Sequence, residues 1–339
     1  MSDSNDNLIN NNIDEIDAQS YRIANNIKCI GSNIPEPIYS FAQHKWPPQI
    51  YSRLKELKFH TPTPVQAQTL PIIMQTRDLL GIARSGSGKT LCFVLPALAC
   101  ALNWGLSHWP TCLVLTPTRE LTHQVEQVVK KFRFARSICL YGGVSRNVQM
   151  MYIRDAKPHI IIATPGRLYD NLERAITHLN NIKYLVIDEA DRMLEMSQDK
   201  PFEQIMKLLP QKRQTLMFSA TWPDEVKHLA DQYLKKDHCQ VIVGSSSTLS
   251  LTVNPNIKQI IDVCDGFDKP EKLLKCLEQY SLTPAGHNKT IIFVRSSEVA
   301  DDLVRFLKKN DIFSRALHGK KNQEERNYVV RGKHLVFII

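Results

Sequence analysis

A-R-S-G-S-G-K-T at residues 83–90 and D-E-A-D at residues 188–191 decide how this 339-residue chain is read. The first stretch follows an apolar run, L-L-G-I at 79–82, and precedes a helix-like apolar run at 91–102. A strand, a Gly-rich loop and a helix N-terminus in series make an anion cradle, because free backbone N–H groups and the positive end of the helix dipole converge on one point. Ser85, Gly86, Ser87 and Gly88 form that loop. Lys89 adds a point charge for outer phosphates, and the Thr90 hydroxyl suits Mg²⁺. The second stretch follows Y-L-V-I at 184–187, which puts Asp188 and Glu189 at a strand's C-terminal end. Open parallel sheets build their sites there. One carboxylate can hold a metal while its neighbour activates water, so the pair points to a nucleoside triphosphatase. Taken singly, the loop also reads as a turn capping a helix, and the carboxylates as a solvated acidic helix start.

Further apolar runs at 78–83, 111–115, 136–141, 159–163, 184–187, 215–218 and 240–243 alternate with helical patterns. Such alternation predicts an α/β fold with a doubly wound parallel sheet. Residues 1–40 are expected to be a flexible N-terminal extension, Asn-rich at first and then broken by two prolines. A first domain is expected at 41–244 and a linker at 245–256, where S-S-S-T-L-S-L-T-V-N-P-N breaks the pattern. A second, shorter unit at 257–339 resumes the alternation, with strand-like runs at 257–264, 290–294, 313–317 and 335–339 and helix-like runs at 269–280 and 297–310.

Net charge is +9. Residues 1–30 carry five acids against two bases, so the remainder holds +12. A basic body favours polyanionic partners such as nucleic acid. The eight cysteines include no C-x-x-C spacing, which argues for free thiols in a reducing compartment rather than a zinc or disulfide framework. The start lacks the basic and apolar stretches of a signal peptide, and the longest apolar run contains Pro96 and is too short to cross a bilayer. The expectation is a soluble, intracellular protein with no membrane partner.

Taken in order, the motifs resemble those of the DEAD-box ATP-dependent RNA helicases across roughly residues 31–339. The matching stretches are Phe41 with P-T-P-V-Q (62–66), A-R-S-G-S-G-K-T (83–90), P-T-R-E-L (117–121), Gly142-Gly143, T-P-G-R (164–167), D-E-A-D (188–191), S-A-T (219–221), I-I-F-V (291–294), H-G (318–319) and Q-E-E-R (323–326). The resemblance implies a RecA-like phosphate-loop domain followed by a second RecA-like domain, with ATP and Mg²⁺ as cofactors and RNA as partner. It assigns Phe41 to stacking on adenine and Gln66 to reading its edge, which side-chain amides do well. Lys89 and Thr90 serve phosphate and Mg²⁺. Asp188 holds Mg²⁺ through water, and Glu189 is the base or orienter for the attacking water. Asp191, Ser219 and Thr221 couple nucleotide state to RNA, the two hydroxyls bonding Asp191. Arg119, Gly143, Thr164, Gly166 and Arg167 contact RNA backbone, which carries no base code.

In the family, A-T-D, A-R-G-x-D and H-R-I-G-R-T-G-R motifs follow, and this sequence reaches Ile339 before them. The expectation is therefore a second domain that is incomplete, an uncovered last strand and slow turnover, since an arginine supplied to the γ-phosphate contributes on the order of 10³–10⁵ in rate. A competing reading is a catalytically impaired module that holds ATP or RNA. A small-molecule kinase is a third, disfavoured because S-A-T and T-P-G-R have no role in one.

Overall fold

The computed structural model describes residues 17–103, 109–145, 147–149, 151, 153, 157–173, 179–195, 201–244, 257–280, 290–322, 325–326, 328–329 and 336–338. It divides into two compact units at Val253 and Asn254. The expected linker, 245–256, lies outside the described residues.

The first unit is built on an eight-stranded sheet. Its strands are β1 (Ile27–Ile30), β2 (Leu79–Ala83), β3 (Cys112–Leu115), β4 (Ser137–Leu140), β5 (Ile160–Ala163), β6 (Tyr184–Ile187), β7 (Gln214–Ser219) and β8 (Cys239–Val243), in the spatial order β1-β8-β2-β7-β6-β3-β5-β4. All neighbours are parallel except β1, which runs antiparallel along the edge of β8. The central strands bury every residue, as parallel strands covered on both faces must. Alternate side chains serve two cores. Leu79, Val114, Ile162 and Val186 face the helices α2 (Pro48–Glu56), α3 (Pro64–Met74), α4 (Lys89–Asn103) and α5 (Arg119–Lys130). Leu80, Leu113, Ile161 and Leu185 face α6 (Pro165–Glu173), α7 (Ala190–Glu195), α8 (Pro201–Leu208) and α9 (Asp224–Tyr233). The doubly wound α/β expectation is met.

The N-terminal expectation needs correction. Residues 17–40 are not a loose extension. Asp17 caps a short helix, α1 (Ala18–Ala24), by accepting from the Ser20 amide at 2.9 Å. Arg22 then donates to Gln68 Oε1 at 2.8 Å and to the Pro35 carbonyl at 3.0 Å, tying the segment to α3. β1 follows and buries Ile27. The polar, Asn-rich surroundings hid this element, which is seated by buried Ile27, by Cys29 packed partly against the core and by pairing along four residues.

The second unit holds β9 (Thr290–Ile292), β10 (Ser314–Ala316) and β11 (Val336–Ile338), all parallel, in the order β10-β11-β9. Helices α10 (Lys269–Tyr280) and α11 (Ser297–Lys309) supply Leu277, Ala300 and Leu307 to its core, with Ile312, Ala316 and Ile338. β11 is thus the central strand, paired on both edges, with Ile338 buried, while Ile291 on the neighbouring β9 is exposed. The strand expected at 257–264 is absent; these residues have no regular structure, and Ile261 and Val263 are exposed. Among the described residues no helix is long and apolar enough to cross a membrane.

Candidate nucleotide and nucleic-acid site

The residues singled out from the sequence in the first unit gather along the C-terminal edge of its sheet. β2 leads into the Gly-rich loop, β7 into S-A-T, and β6 into D-E-A-D, and these three strands are neighbours with β7 in the middle. Chain order conceals this, since β7 follows β6 and lies between β6 and β2. The pairing of Ile82 with Ser219 places the Ser219 carbonyl beside the loop.

Within the loop, Gly86 and Gly88 adopt φ of +78° and +96°, left-handed values that glycine takes without strain. A Cβ on Gly88 would lie 2.5 Å from Gln66 Nε2. Lys89 is buried at the start of α4 and donates to the carbonyls of Ala83 at 2.6 Å and Ser219 at 3.1 Å. Burial lowers its pKa, against the pull of Asp188, Asp191 and Glu189. Asp188 is pushed up to about 6, chiefly by burial, with Lys89 opposing and Glu189 reinforcing the shift. Its Oδ1 accepts from the Glu189 amide at 3.1 Å. Glu189 has φ +52°, a left-handed value that is costly outside glycine. Its carboxylate pairs with Arg192 at 3.0 Å.

The buried hydroxyls of Ser87 and Ser219 have no hydrogen-bond partner among the described residues. Orphaned hydroxyls, a buried ammonium held only by carbonyls and an adjacent buried carboxylate are polar groups short of partners. Together with a loop in which Gly88 leaves no room for a Cβ, they fit a phosphate chain and a hard cation.

The coupling residues divide. Asp191 Oδ2 accepts from both the amide and the hydroxyl of Thr221, at 3.1 and 2.8 Å. The Ser219 hydroxyl does not bond Asp191; its carbonyl serves Lys89 instead. Gln66, at the first turn of α3, is engaged at both ends of its amide: Oε1 accepts from the Thr63 amide at 3.0 Å and Nε2 donates to the Gly88 carbonyl at 2.9 Å. Phe41 is 2% exposed and its ring belongs to the core, so it offers no open stacking face here. Its carbonyl accepts from the Trp46 indole at 2.8 Å.

The second group lies at the ends of β3, β4 and β5. Arg119 opens α5 and lies with its guanidinium 4.5 Å from the centre of the Tyr141 ring. Gly143, at φ +85°, lies beneath it, for an added Cβ would sit 3.5 Å from an Arg119 nitrogen. Thr164 donates its amide to the Leu140 carbonyl at 2.9 Å, and Gly166 is exposed with open space around it. Arg167 is drawn inward, donating to the Val144 carbonyl and Gln149 Oε1, both at 3.0 Å. Sequence reasoning missed Tyr141, Gln149 and Arg192. Only the spacing of Glu189 and Arg192, one helical turn apart, was visible beforehand.

A family model described as DEAD/DEAH box helicase matches residues 63–229, the stretch that carries these strand ends. This chain belongs to the DEAD-box helicase family. It is 42% identical over 326 residues to the ATP-dependent RNA helicase dbp2 of Schizosaccharomyces pombe, covering 94% of this chain and 58% of that protein. It is 41% identical over 313 residues to the probable ATP-dependent RNA helicase DDX17 of Homo sapiens, covering 88% and 41%. The matched part of this family member thus spans 58% of one relative's length and 41% of the other's. The fold resembles the yeast DEAD-box splicing factor Prp28, with a TM-score of 0.64 at 27% identity over 96% of this chain and 77% of that one. It also resembles Prp28 of Chaetomium thermophilum bound to ADP, with a TM-score of 0.62 at 29% identity over 97% and 80%.

Proposed function

We propose that this chain acts as an ATP-dependent RNA helicase, an RNA-stimulated ATPase that grips RNA backbone and separates short duplexes. The observation that carries the reading is the buried Lys89 ammonium, held between Ala83 and Ser219 beside Asp188, with Asp191 latched to Thr221 one turn away. When bound, Mg²⁺–ATP supplies the phosphoryl group to be transferred to water. Lys89 would hold phosphate oxygens, and Thr90 and Asp188 would hold the cation. Glu189 orients the water, which requires release from Arg192. Gln66 would hold the adenine edge, which would favour ATP over GTP because unpaired polar groups reject the wrong base.

Asp191 and Thr221 connect the D-E-A-D turn to the strand that also holds Lys89. Arg119, Gly143, Thr164 and Gly166 present a guanidinium, a hydroxyl and glycine backbone to phosphates, which suits binding without sequence preference. The test is ATP hydrolysis by the full chain with and without single-stranded RNA, beside a Thr221→Val variant. Stimulation by RNA that is lost in the variant while ATP affinity persists supports the reading. Hydrolysis indifferent to RNA in the unaltered chain would overturn it.

A further inference from the structure

On the helix that Arg119 opens, a second cluster has metal-ligand chemistry. His123 and Glu126 lie one turn apart on α5, and Cys139 faces them from β4. One donor atom from each lies within 4.8 Å of the others. His123 Nδ1 is 3.9 Å from Glu126 Oε2. The His123 side chain is 43% exposed and Glu126 11%, so the cluster opens to solvent on one side.

We propose that His123, Glu126 and Cys139 form a binding site for Zn²⁺ or a similar thiophilic divalent cation, with water as fourth ligand. A set of one imidazole nitrogen, one carboxylate oxygen and one thiol sulfur selects zinc over the hard cations magnesium and calcium. Tetrahedral zinc, with bonds of about 2.0–2.3 Å, needs donor separations of roughly 3.3–3.6 Å. From separations of up to 4.8 Å the donors must therefore close by at most about 1.2–1.5 Å. Rotation of an exposed imidazole and a carboxylate supplies that without moving backbone.

Two contacts would yield. Glu126 Oε2 accepts from Lys130 at 2.8 Å, and the Cys139 thiol donates to the Thr122 carbonyl at 3.4 Å. The incoming cation takes the place of the Lys130 ammonium on the carboxylate, and the thiol binds as thiolate with its proton released to solvent. The site adjoins the nucleic-acid group. The His123 ring lies 4.8 Å from the Tyr141 ring, whose face carries Arg119. A bound cation would fix His123 and with it the column that seats Arg119.

The test uses the reduced full chain and Co²⁺ as a spectroscopic stand-in for zinc. One equivalent of Co²⁺ should give a thiolate-to-cobalt charge-transfer band in the near ultraviolet, which Zn²⁺ then abolishes by displacement. Cys139→Ser should remove the band. His123→Ala, a change on an exposed side chain that leaves the core intact, should weaken Zn²⁺ binding by more than about 100-fold, beyond the range seen for outer-shell losses. Cys276→Ser, at an exposed thiol elsewhere, should change neither. No band in the unaltered chain, a band that survives Cys139→Ser, or unchanged affinity in His123→Ala would each overturn the proposal.

Discussion

At the level of single residues, the site is a set of groups held short of their preferred partners. Lys89 has two carbonyls for three N–H donors, in a buried setting. Charge-assisted bonds to phosphate are worth about 1.5–3 kcal/mol each. Lys89→Ala should therefore reduce ATP affinity by at least about tenfold, and a nucleotide titration showing unchanged affinity would refute the role. Asp188 gives a pH signature. Its pKa is raised to about 6, so its contribution to folding is full at low pH and is lost as pH rises through about 6. Metal binding runs the other way, because Mg²⁺ needs the carboxylate. The Mg²⁺-dependent part of ATP affinity should fall about tenfold per pH unit below about 6 and level off above it. In Asp188→Asn that dependence should vanish. Titrations across this range check it, and a flat profile in the unaltered chain would remove Asp188 as the metal holder.

At the level of elements, the edges of the sheet matter most. β1 covers β8 along four residues and seats Ile27. Without it, the β8 edge is an open template for pairing with other chains. Deleting residues 1–30 should cost the first unit about 2–4 kcal/mol, on the scale of a lost buried aliphatic side chain and its ladder. It should also promote self-association. Denaturant unfolding and light scattering test this, and equal stability with no aggregation would mean that β1 is ornamental. The strands β2 to β8 were legible in the sequence because each is a short apolar run between helical patterns, and each lies within a residue of its expected bounds. β1 was not legible, since only Ile27 is buried and its neighbours are polar or half-exposed. The run at 257–264 misled in the opposite sense: it has the apolar content of a strand but pairs with no strand among the described residues.

At the level of the whole chain, charge and its placement govern the nucleic-acid side. The excess of positive charge outside the first thirty residues attracts any polyanion. The structure separates two arginines that look alike in sequence. Arg119 lies on an aromatic ring with its charge available, whereas Arg167 is spent on Val144 and Gln149. Arg119→Ala should lower RNA affinity for all sequences alike and reduce the slope of log affinity against log salt by about 0.7, the value for one phosphate on a single strand. Arg167→Ala should weaken binding by releasing Val144 and Gln149, with a smaller change in slope. Equal slope changes in the two would show that both contact phosphate directly. The sequence by itself determined the alternating α/β architecture, the phosphate loop and the acidic pair, because strand, glycine and charge signals are local and ordered along the chain. Only the tertiary structure decided that β7 lies between β2 and β6, that Ser219 serves Lys89 by its carbonyl while Thr221 holds Asp191, and that Phe41 is core. It alone joined Cys139 to His123 and Glu126. Those facts depend on which strands become neighbours and which atoms lose water, and neither is encoded in spacing along the chain.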